Sequence, residues 1–245
     1  MATYVLVHGA WHGGWCWKKV APLLRQNGAE VFTPTLTGMG ERAHLNACLD
    51  PSAITLDVHI QDIVQLMRYE GLEDVVLVGH AYAGMVITGV AEVCPERISH
   101  MVYVNGVIPA DGESMADQLI PVRGEEFASW VRDQVKTGDG FLPAPASVEE
   151  VGLRWGITDP GDLAWVGANV TPQPAAAMAS PIHIENPKAK AIPKNFVGGA
   201  ESGFDSVAER ARQAGWGVYP VDSGHDTMIT HAGELADILI KIGNE

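Results

Sequence analysis

The chain has 245 residues, a formal net charge of −14 and 47% hydrophobic residues. This length and composition predict one globular α/β core with an insertion and exclude a low-complexity or disordered chain. Because binding to polyphosphate depends on clustered Lys and Arg, the acidic balance argues against nucleic acid as a partner.

The chain starts with Met1-Ala2-Thr3, which leads into a strand pattern without the basic and apolar regions of a signal peptide. There is no apolar run long enough to span a membrane, so we expect a cytoplasmic protein with no membrane partner. The cysteines Cys16, Cys48 and Cys94 are widely spaced, which predicts buried thiols rather than disulfides or a zinc site. The sequence leaves monomer and homodimer open.

Short apolar runs alternate with helical patterns over most of the chain. The predicted strands are 4–7, 31–32, 75–78, 101–104, 195–197 and 218–221, and the predicted helices between them are 17–26, 56–70, 84–92, 206–214 and 233–242. This alternation is typical of a doubly wound, mostly parallel sheet, here of about six strands.

The alternation breaks over residues 107–193, which are rich in proline and contain Trp130, Trp155 and Trp165. Helical patterns recur there only at 125–135 and around 148–150. We interpret this segment as a cap inserted after the fourth strand, over a core formed by 1–106 and 194–245. A long irregular crossover is the alternative.

The strongest motif is Gly79-His80-Ala81-Tyr82-Ala83-Gly84, between an apolar strand and a helical run. This strand–turn–helix context with small neighbours is typical of a nucleophile elbow, whose central residue is a serine. Ala81 occupies the position of that serine, and its methyl group cannot attack a carbonyl.

Two further segments fit the same kind of site. The turn His8-Gly9-Ala10-Trp11 after the first strand is placed to supply a backbone N–H, so Ala10 and Tyr82 are the predicted oxyanion donors. Asp222-Ser223-Gly224-His225-Asp226 follows the last strand, where His225 would act as general base. A metal pair of His225 and His231 lacks an evident third ligand, and the sequence predicts no metal and no cofactor.

These residues resemble the α/β-hydrolase superfamily over the whole chain except the cap. The segments VLVHGAWHGGWCW, TPTLTGMGERAHL, GHAYAGMVITGVAE and GWGVYPVDSGHDTM are similar to a bacterial branch that includes carbendazim-hydrolysing esterases, and more distantly to plant methylesterases and hydroxynitrile lyases. The resemblance implies a cofactor-free serine hydrolase of small esters, carbamates or amides, with a catalytic triad whose serine is expected at Ala81.

The resemblance leaves the triad acid open. Relatives place it either after the strand that follows the elbow, where this chain has Asn105, or after the strand before the last, where Glu201 is the candidate. Asn105 could orient His225 but cannot neutralise an imidazolium. Asp111, Asp205 and Asp222 are the remaining candidates.

A small-molecule pocket should lie over the elbow. Its predicted walls are aromatic, sulfur-bearing and imidazole side chains suited to an aromatic ester or carbamate: Trp11, His12, His80, Trp130 and Met228, with Trp155 or Trp165 as further candidates.

Three hypotheses account for Ala81. The chain is a Ser→Ala variant of a serine hydrolase that works through an acyl-enzyme, which is the leading interpretation. Alternatively, it is a natural serine-free lyase or decarboxylase that uses His225 and the oxyanion donors, an arrangement similar to that of methylketone synthases. The third alternative is a non-catalytic small-molecule binder.

Overall fold

The computed structural model describes residues 1–137, 139–199 and 201–245. Its eight strands are β1 (Thr3–Val7), β2 (Glu30–Phe32), β3 (Val75–His80), β4 (Ile98–Val104), β5 (Phe141–Leu142), β6 (Gln173–Pro174), β7 (Lys194–Gly199) and β8 (Gly217–Val221). Six of them form one sheet in the order β2-β1-β3-β4-β7-β8, and all its neighbouring strands are parallel. The predicted α/β fold with a six-stranded parallel sheet is confirmed.

The helices of the sheet region are α1 (Val20–Gln26), α2 (Leu56–Tyr69), α3 (Ala83–Val93), α11 (Asp205–Gln213), α12 (Thr227–Thr230) and α13 (Ala232–Gly243). Between β4 and β7 lie α4 (Met115–Gln118), α5 (Ile120–Arg123), α6 (Glu125–Lys136), α7 (Val148–Trp155), α8 (Pro160–Asn169), α9 (Ala175–Ala179) and α10 (Pro187–Ala191), together with the antiparallel pair β5–β6. Short 3₁₀ helices cover Gly14–Trp17, Gly40–Ala47, Pro51–Ala53 and Pro95–Arg97. The helix predicted at 17–26 begins only at Val20, because Trp17 ends a 3₁₀ turn.

The sheet is buried on both faces. Successive side chains of a strand point to opposite faces, so Val5 and Val7 pack with α2 and α3, whereas Tyr4 and Leu6 pack with α1 and α13. Continuous apolar strands are therefore required here, as the sequence pattern indicates.

Two features of the surface bear on the sequence predictions. No helix among the described residues is long and apolar enough to cross a membrane. Cys16 and Cys94 are buried free thiols, but Cys48 is exposed, so the prediction of three buried thiols is wrong at that position. Cys48 directly follows the 3₁₀ helix Gly40–Ala47, in which no residue is buried.

Candidate active site

The elbow between β3 and α3 holds Ala81 in a strained backbone conformation. Its φ of 50° lies in the left-handed region, which a residue with a Cβ seldom adopts. The Ala81 N–H donates to the Val104 carbonyl and its own carbonyl accepts from Val107 N–H, both at 3.2 Å. A Cβ on Gly84 would lie 2.1 Å from the Val107 carbonyl oxygen, so glycine is required for this close approach.

The turn after β1 packs directly against this elbow. A Cβ on Gly9 would lie 2.7 Å from His80 Nδ1 and 3.0 Å from the Ala81 Cβ. Among the described residues, neither the N–H of Ala10 nor that of Tyr82 has a hydrogen-bond acceptor, and both residues line one cavity with Ala81. Two N–H donors without an acceptor among the described residues therefore belong to residues of this cavity.

The cavity has a volume of about 320 Å³. It brings together most of the predicted site residues, namely Ala10, Trp11, His12, His80, Ala81, Tyr82, Trp155 and His225. Residues 107–193 supply the other large part of its wall, including Met115, Arg123, Phe127 and Met178, and the β7–α11 region adds Phe204 and Arg210.

Two predicted wall residues lie elsewhere. Met228 is fully buried in the core on the α13 side of the sheet, because α12 turns it away from the cavity. Trp130 lies on α6 with 38% of its surface exposed and packs on Phe127 at a ring distance of 5.6 Å. Both assignments are wrong. Of the two further candidates, Trp165 packs against Trp15 at 5.4 Å, and only Trp155 lines the cavity.

His225 lines the cavity as a neutral imidazole. Its ring stacks on Phe204 at 5.2 Å, and its buried Nδ1 has no hydrogen-bond partner among the described residues. Burial, followed by the positive charges of His12 and Arg123, lowers the pKa of His225 to about 3.

Asn105 fixes the main chain of the His225 loop rather than its ring. Its Nδ2 donates to the His225 carbonyl at 2.8 Å and to Thr227 Oγ1 at 3.0 Å, and its Oδ1 accepts from Gly199 N–H at 2.8 Å. The φ of Asn105 is 44°, a conformation that asparagine tolerates better than most residues. The predicted orientation of the imidazole ring by Asn105 is therefore wrong.

The other acid candidates do not contact the His225 ring. Glu201, Asp205 and Asp222 are exposed, and their carboxylates have no hydrogen bond or ion pair with another described residue. Asp111 accepts from the N–H of Ile184 at 2.9 Å. None of these four carboxylates orients the imidazole in this structure.

A buried carboxylate follows His225 directly in the chain, at Asp226, which the sequence did not point to as a candidate acid. It is fully buried, and its Oδ2 accepts from His12 Nε2 at 3.0 Å, while His12 Nδ1 donates to the Ala10 carbonyl at 2.8 Å. Burial opposes the charge on His12, but the charge of Asp226 and these hydrogen bonds raise its pKa above the ordinary value. His12 is thus an imidazolium paired with Asp226.

His80 completes this buried cluster as a neutral ring. Its Nε2 donates to the His225 carbonyl at 3.1 Å and lies 3.6 Å from Asp226 Oδ1. Burial, followed by the positive charge that a protonated His225 would carry, holds the pKa of His80 well below its ordinary value.

Within the described residues, His80, His225 and Asp226 each place one potential ligand atom within 4.8 Å of the others. His231, the partner considered for His225, is outside this group and contacts Thr230 Oγ1. Because the imidazolium of His12 already neutralises Asp226, a divalent ion here would face a buried excess of positive charge, and we assign no metal ligands.

The elbow is also tied to the core through Tyr82. Its hydroxyl donates to His59 Nδ1 at 2.9 Å, and His59 Nε2 donates to the Thr37 carbonyl at 2.9 Å. Burial lowers the pKa of His59, which keeps it neutral and able to accept. The Tyr82 side chain is therefore anchored, and only its main chain offers a free donor.

Residues 107–193 hold both loops of the site. The Asp226 N–H donates to the Trp155 carbonyl at 3.1 Å, and a Cβ on Gly156 would lie 2.7 Å from the Gly224 Cα. On the other side, Trp11 donates from Nε1 to the Pro143 carbonyl, and its own carbonyl accepts from the Thr171 N–H, both at 3.0 Å.

The parallel sheet, the strained elbow and the histidine after the last strand define an α/β hydrolase. Residues 4–238 match the model of the alpha/beta hydrolase family, and the chain belongs to this family. Its relatives include esterases, and it is an esterase-type member.

The chain is 35% identical to the carbendazim hydrolyzing esterase of Nocardioides sp. (strain SG-4G), over 99% of this chain and 100% of that protein. It is 34% identical to Methylesterase 8 of Arabidopsis thaliana, over 57% of this chain and 48% of that protein. Among solved structures, an extracellular alpha/beta-hydrolase from a Paenibacillus species matches with a TM-score of 0.83 at 22% identity, over 100% of both chains. Tomato methylketone synthase I complexed with 2-tridecanone matches with a TM-score of 0.76 at 22% identity, over 99% of this chain and 98% of that chain.

Proposed function

We propose that this chain is a serine-free lyase on an esterase-type α/β-hydrolase fold. It cleaves a bond next to a carbonyl group, with His225 moving the proton and the N–H groups of Ala10 and Tyr82 holding the oxygen of the resulting enolate. The observation that carries the proposal is that Ala81 has no nucleophilic group and that, among the described residues, no carboxylate contacts the His225 ring, although His225 and the N–H groups of Ala10 and Tyr82 are present.

Hydrolysis through an acyl-enzyme needs a nucleophile, a base and an acid that act as a unit. The methyl of Ala81 cannot attack, and Asn105 uses its amide on main-chain and Thr227 partners. With no carboxylate on its ring and a pKa of about 3, His225 is a neutral imidazole at pH 7. It can relay a proton but is poorly suited to activating a serine hydroxyl.

The two free N–H groups suit an enolate as well as they suit a tetrahedral oxyanion. In a β-keto acid the bond between the α-carbon and the carboxylate breaks, carbon dioxide leaves, and the electron pair of that bond forms the enolate, whose oxygen lies at the N–H groups of Ala10 and Tyr82. In a β-hydroxy ketone the bond from the α-carbon to the hydroxyl-bearing carbon breaks instead, the hydroxyl proton passes to His225, and an aldehyde leaves. A proton relayed by His225 from water then returns to the carbon, which restores the carbonyl. Residues 107–193 act as a cap that excludes bulk water from this step.

A fold neighbour supports this chemistry by example. Tomato methylketone synthase I has been solved with 2-tridecanone, and a histidine-to-alanine variant of it with beta-ketoheptanoate. At 21–22% identity the likeness concerns the fold, and the lyase assignment rests on Ala81, Asn105 and His225 of this chain.

A second candidate is a serine esterase, in which Ala81 stands for a serine and the substrate is a small aromatic ester, carbamate or amide. It is favoured by the φ of 50° at Ala81, since such strain is typical of a position that presents a nucleophile. The relation to the Nocardioides esterase supports the same candidate.

The test compares the chain as written with His225→Ala on 3-oxo-octanoate, a β-hydroxy ketone and 4-nitrophenyl acetate. We expect release of carbon dioxide or retro-aldol cleavage by the chain, loss of that turnover in His225→Ala, and no loss in His183→Ala, whose side chain is 79% exposed. Inertness toward both carbonyl substrates would refute the lyase. Ester hydrolysis gained by Ala81→Ser would then favour the esterase, and binding without turnover would favour a binding protein.

A further inference from the structure

Arg123 is a cation without a partner in the cavity. It is the last residue of α5 and lines the cavity together with His225. Within the described part of the chain, its guanidinium has no hydrogen bond and no ion pair. Its charge nevertheless acts on the imidazole, because it is one of the two cations that lower the pKa of His225.

Neither acidic group of the cavity wall bonds to Arg123. Glu113 accepts through Oε2 from the Ala110 N–H at 2.7 Å and from the Gln118 amide, and Asp117 accepts from Ser114 and pairs with Arg132. Within the described residues, Glu113 has no ion pair, and Asp117 is neutralised by Arg132.

The other two arginines of the wall have partners. Arg154 pairs with Glu150 and lies over the Trp11 ring at 5.4 Å, and Arg210 donates to the Ile108 carbonyl at 3.0 Å. Arg123 alone among these three guanidinium groups is uncommitted.

The residues beside His225 do not pair with Arg123 either. Asn105 carries no charge, and the buried Asp226 is neutralised by His12. A guanidinium that lines a cavity and has no partner among the described residues is suited to bind an anionic ligand.

We propose that the cavity binds an organic carboxylate with an apolar body, whose carboxylate pairs with Arg123 beside His225. The apolar body would lie against Met115, Phe127, Met178 and Phe204, which line the same cavity. If the proposed lyase function holds, this carboxylate is its substrate, and that role rests on the proposed function. Binding of the carboxylate depends only on the cavity.

The bound carboxylate would supply the negative charge that Asn105 does not. The charged and titratable groups around His225 are His12, His80, Arg123 and Asp226. Of these, His80 is neutral and Asp226 is paired, and the charges of His12 and Arg123 add to burial in lowering the pKa of His225. An anion at Arg123 offsets that cationic field, so binding should raise the pKa of His225, and by linkage protonation of His225 should tighten binding. Binding of the substrate would thereby favour the protonated form of His225, which then donates the proton.

The experiment compares 4-phenylbutyrate with its uncharged amide, 4-phenylbutyramide, by isothermal titration calorimetry on the intact chain at pH 7. We expect the acid to bind about tenfold more tightly than the amide, with a preference that weakens as salt is added. Arg123→Gln should abolish this preference. Arg212→Gln is the matched control, since Arg212 pairs with Glu209 and does not line the cavity.

NMR titration of the His225 ring supplies a second readout, in which the acid and not the amide should raise its pKa. The inference is overturned if the acid does not bind, if acid and amide bind equally, or if a folded Arg123→Gln protein keeps the preference. Binding and turnover are measured separately. Carboxylate binding without lyase turnover would refute only the lyase, and lyase turnover without a preference for the acid would refute only this inference.

Discussion

His12 Nε2 lies 3.0 Å from Asp226 Oδ2, and both side chains are inaccessible to solvent. This ion pair joins the turn after β1, through the Ala10 carbonyl, to the loop that carries His225. A buried ion pair therefore links the two loops of the candidate site, although they lie near opposite ends of the chain.

The pair predicts a specific dependence of stability on pH. Because the pKa of His12 is raised above 6.5 in the folded protein, the pair contributes fully below pH 6.5 and its contribution is lost as the pH rises through the raised pKa. Asp226→Asn should cost about 1–3 kcal/mol of unfolding free energy at pH 6 and progressively less toward pH 9. Urea unfolding over this range measures the difference, with the exposed Asp222→Asn as control. A difference that does not change with pH would contradict the assignment.

Ala81→Ser alone should give little ester hydrolysis. The variant restores the hydroxyl, but His225 has no carboxylate on its ring and a pKa of about 3, so its rate should remain roughly four orders of magnitude below that expected with an intact triad. Adding Asn105→Asp should not raise the rate, because its carboxylate would face the His225 carbonyl, to which the Asn105 amide now donates. Initial rates on 4-nitrophenyl acetate check both variants, and a faster double variant would contradict the contacts assigned to Asn105.

The elbow should tolerate no added methyl group at Gly84. Gly84→Ala places a Cβ 2.1 Å from the Val107 carbonyl oxygen and should destabilise the fold by about 1–3 kcal/mol. Gly233→Ala, in α13, meets no atom within 4 Å and should stabilise it by up to about 1 kcal/mol. Thermal unfolding of the two proteins compares these effects, and equal midpoints would refute the close packing at the elbow.

Tyr82→Phe should separate the side chain of this residue from its main chain. The change removes the hydrogen bond to the buried His59 and should cost about 1–3 kcal/mol of stability. Turnover should be retained, because the proposed donor is the main-chain N–H. Tyr69→Phe, at a position 82% exposed, should change neither quantity. A loss of turnover without a loss of stability would instead place the hydroxyl in the reaction.

The local parts of this structure could be predicted from the sequence. The apolar runs mark the six strands, and the small residues around Ala81 mark the elbow, because both signals come from neighbours along the chain. The ion pair between His12 and Asp226 could not be predicted in this way, since the two residues are 214 positions apart in the sequence.

Nearness along the chain also misled in one case. Met228 lies shortly beyond His225, yet the intervening turn of α12 places it in the core. That Arg123 has no partner likewise becomes visible only when the contacts of the other charged residues of the cavity are known.

The contacts of residues 107–193 with the two loops limit how this fold can diversify. The Trp155 carbonyl accepts from the Asp226 N–H, and Gly156 packs closely on Gly224, so residues 107–193 and the histidine loop have matching surfaces. A chimera that receives only the segment corresponding to 107–193 from another family member would disturb the position of His225. Exchange of specificity between such proteins therefore calls for residues 224–226 to be transplanted along with the segment.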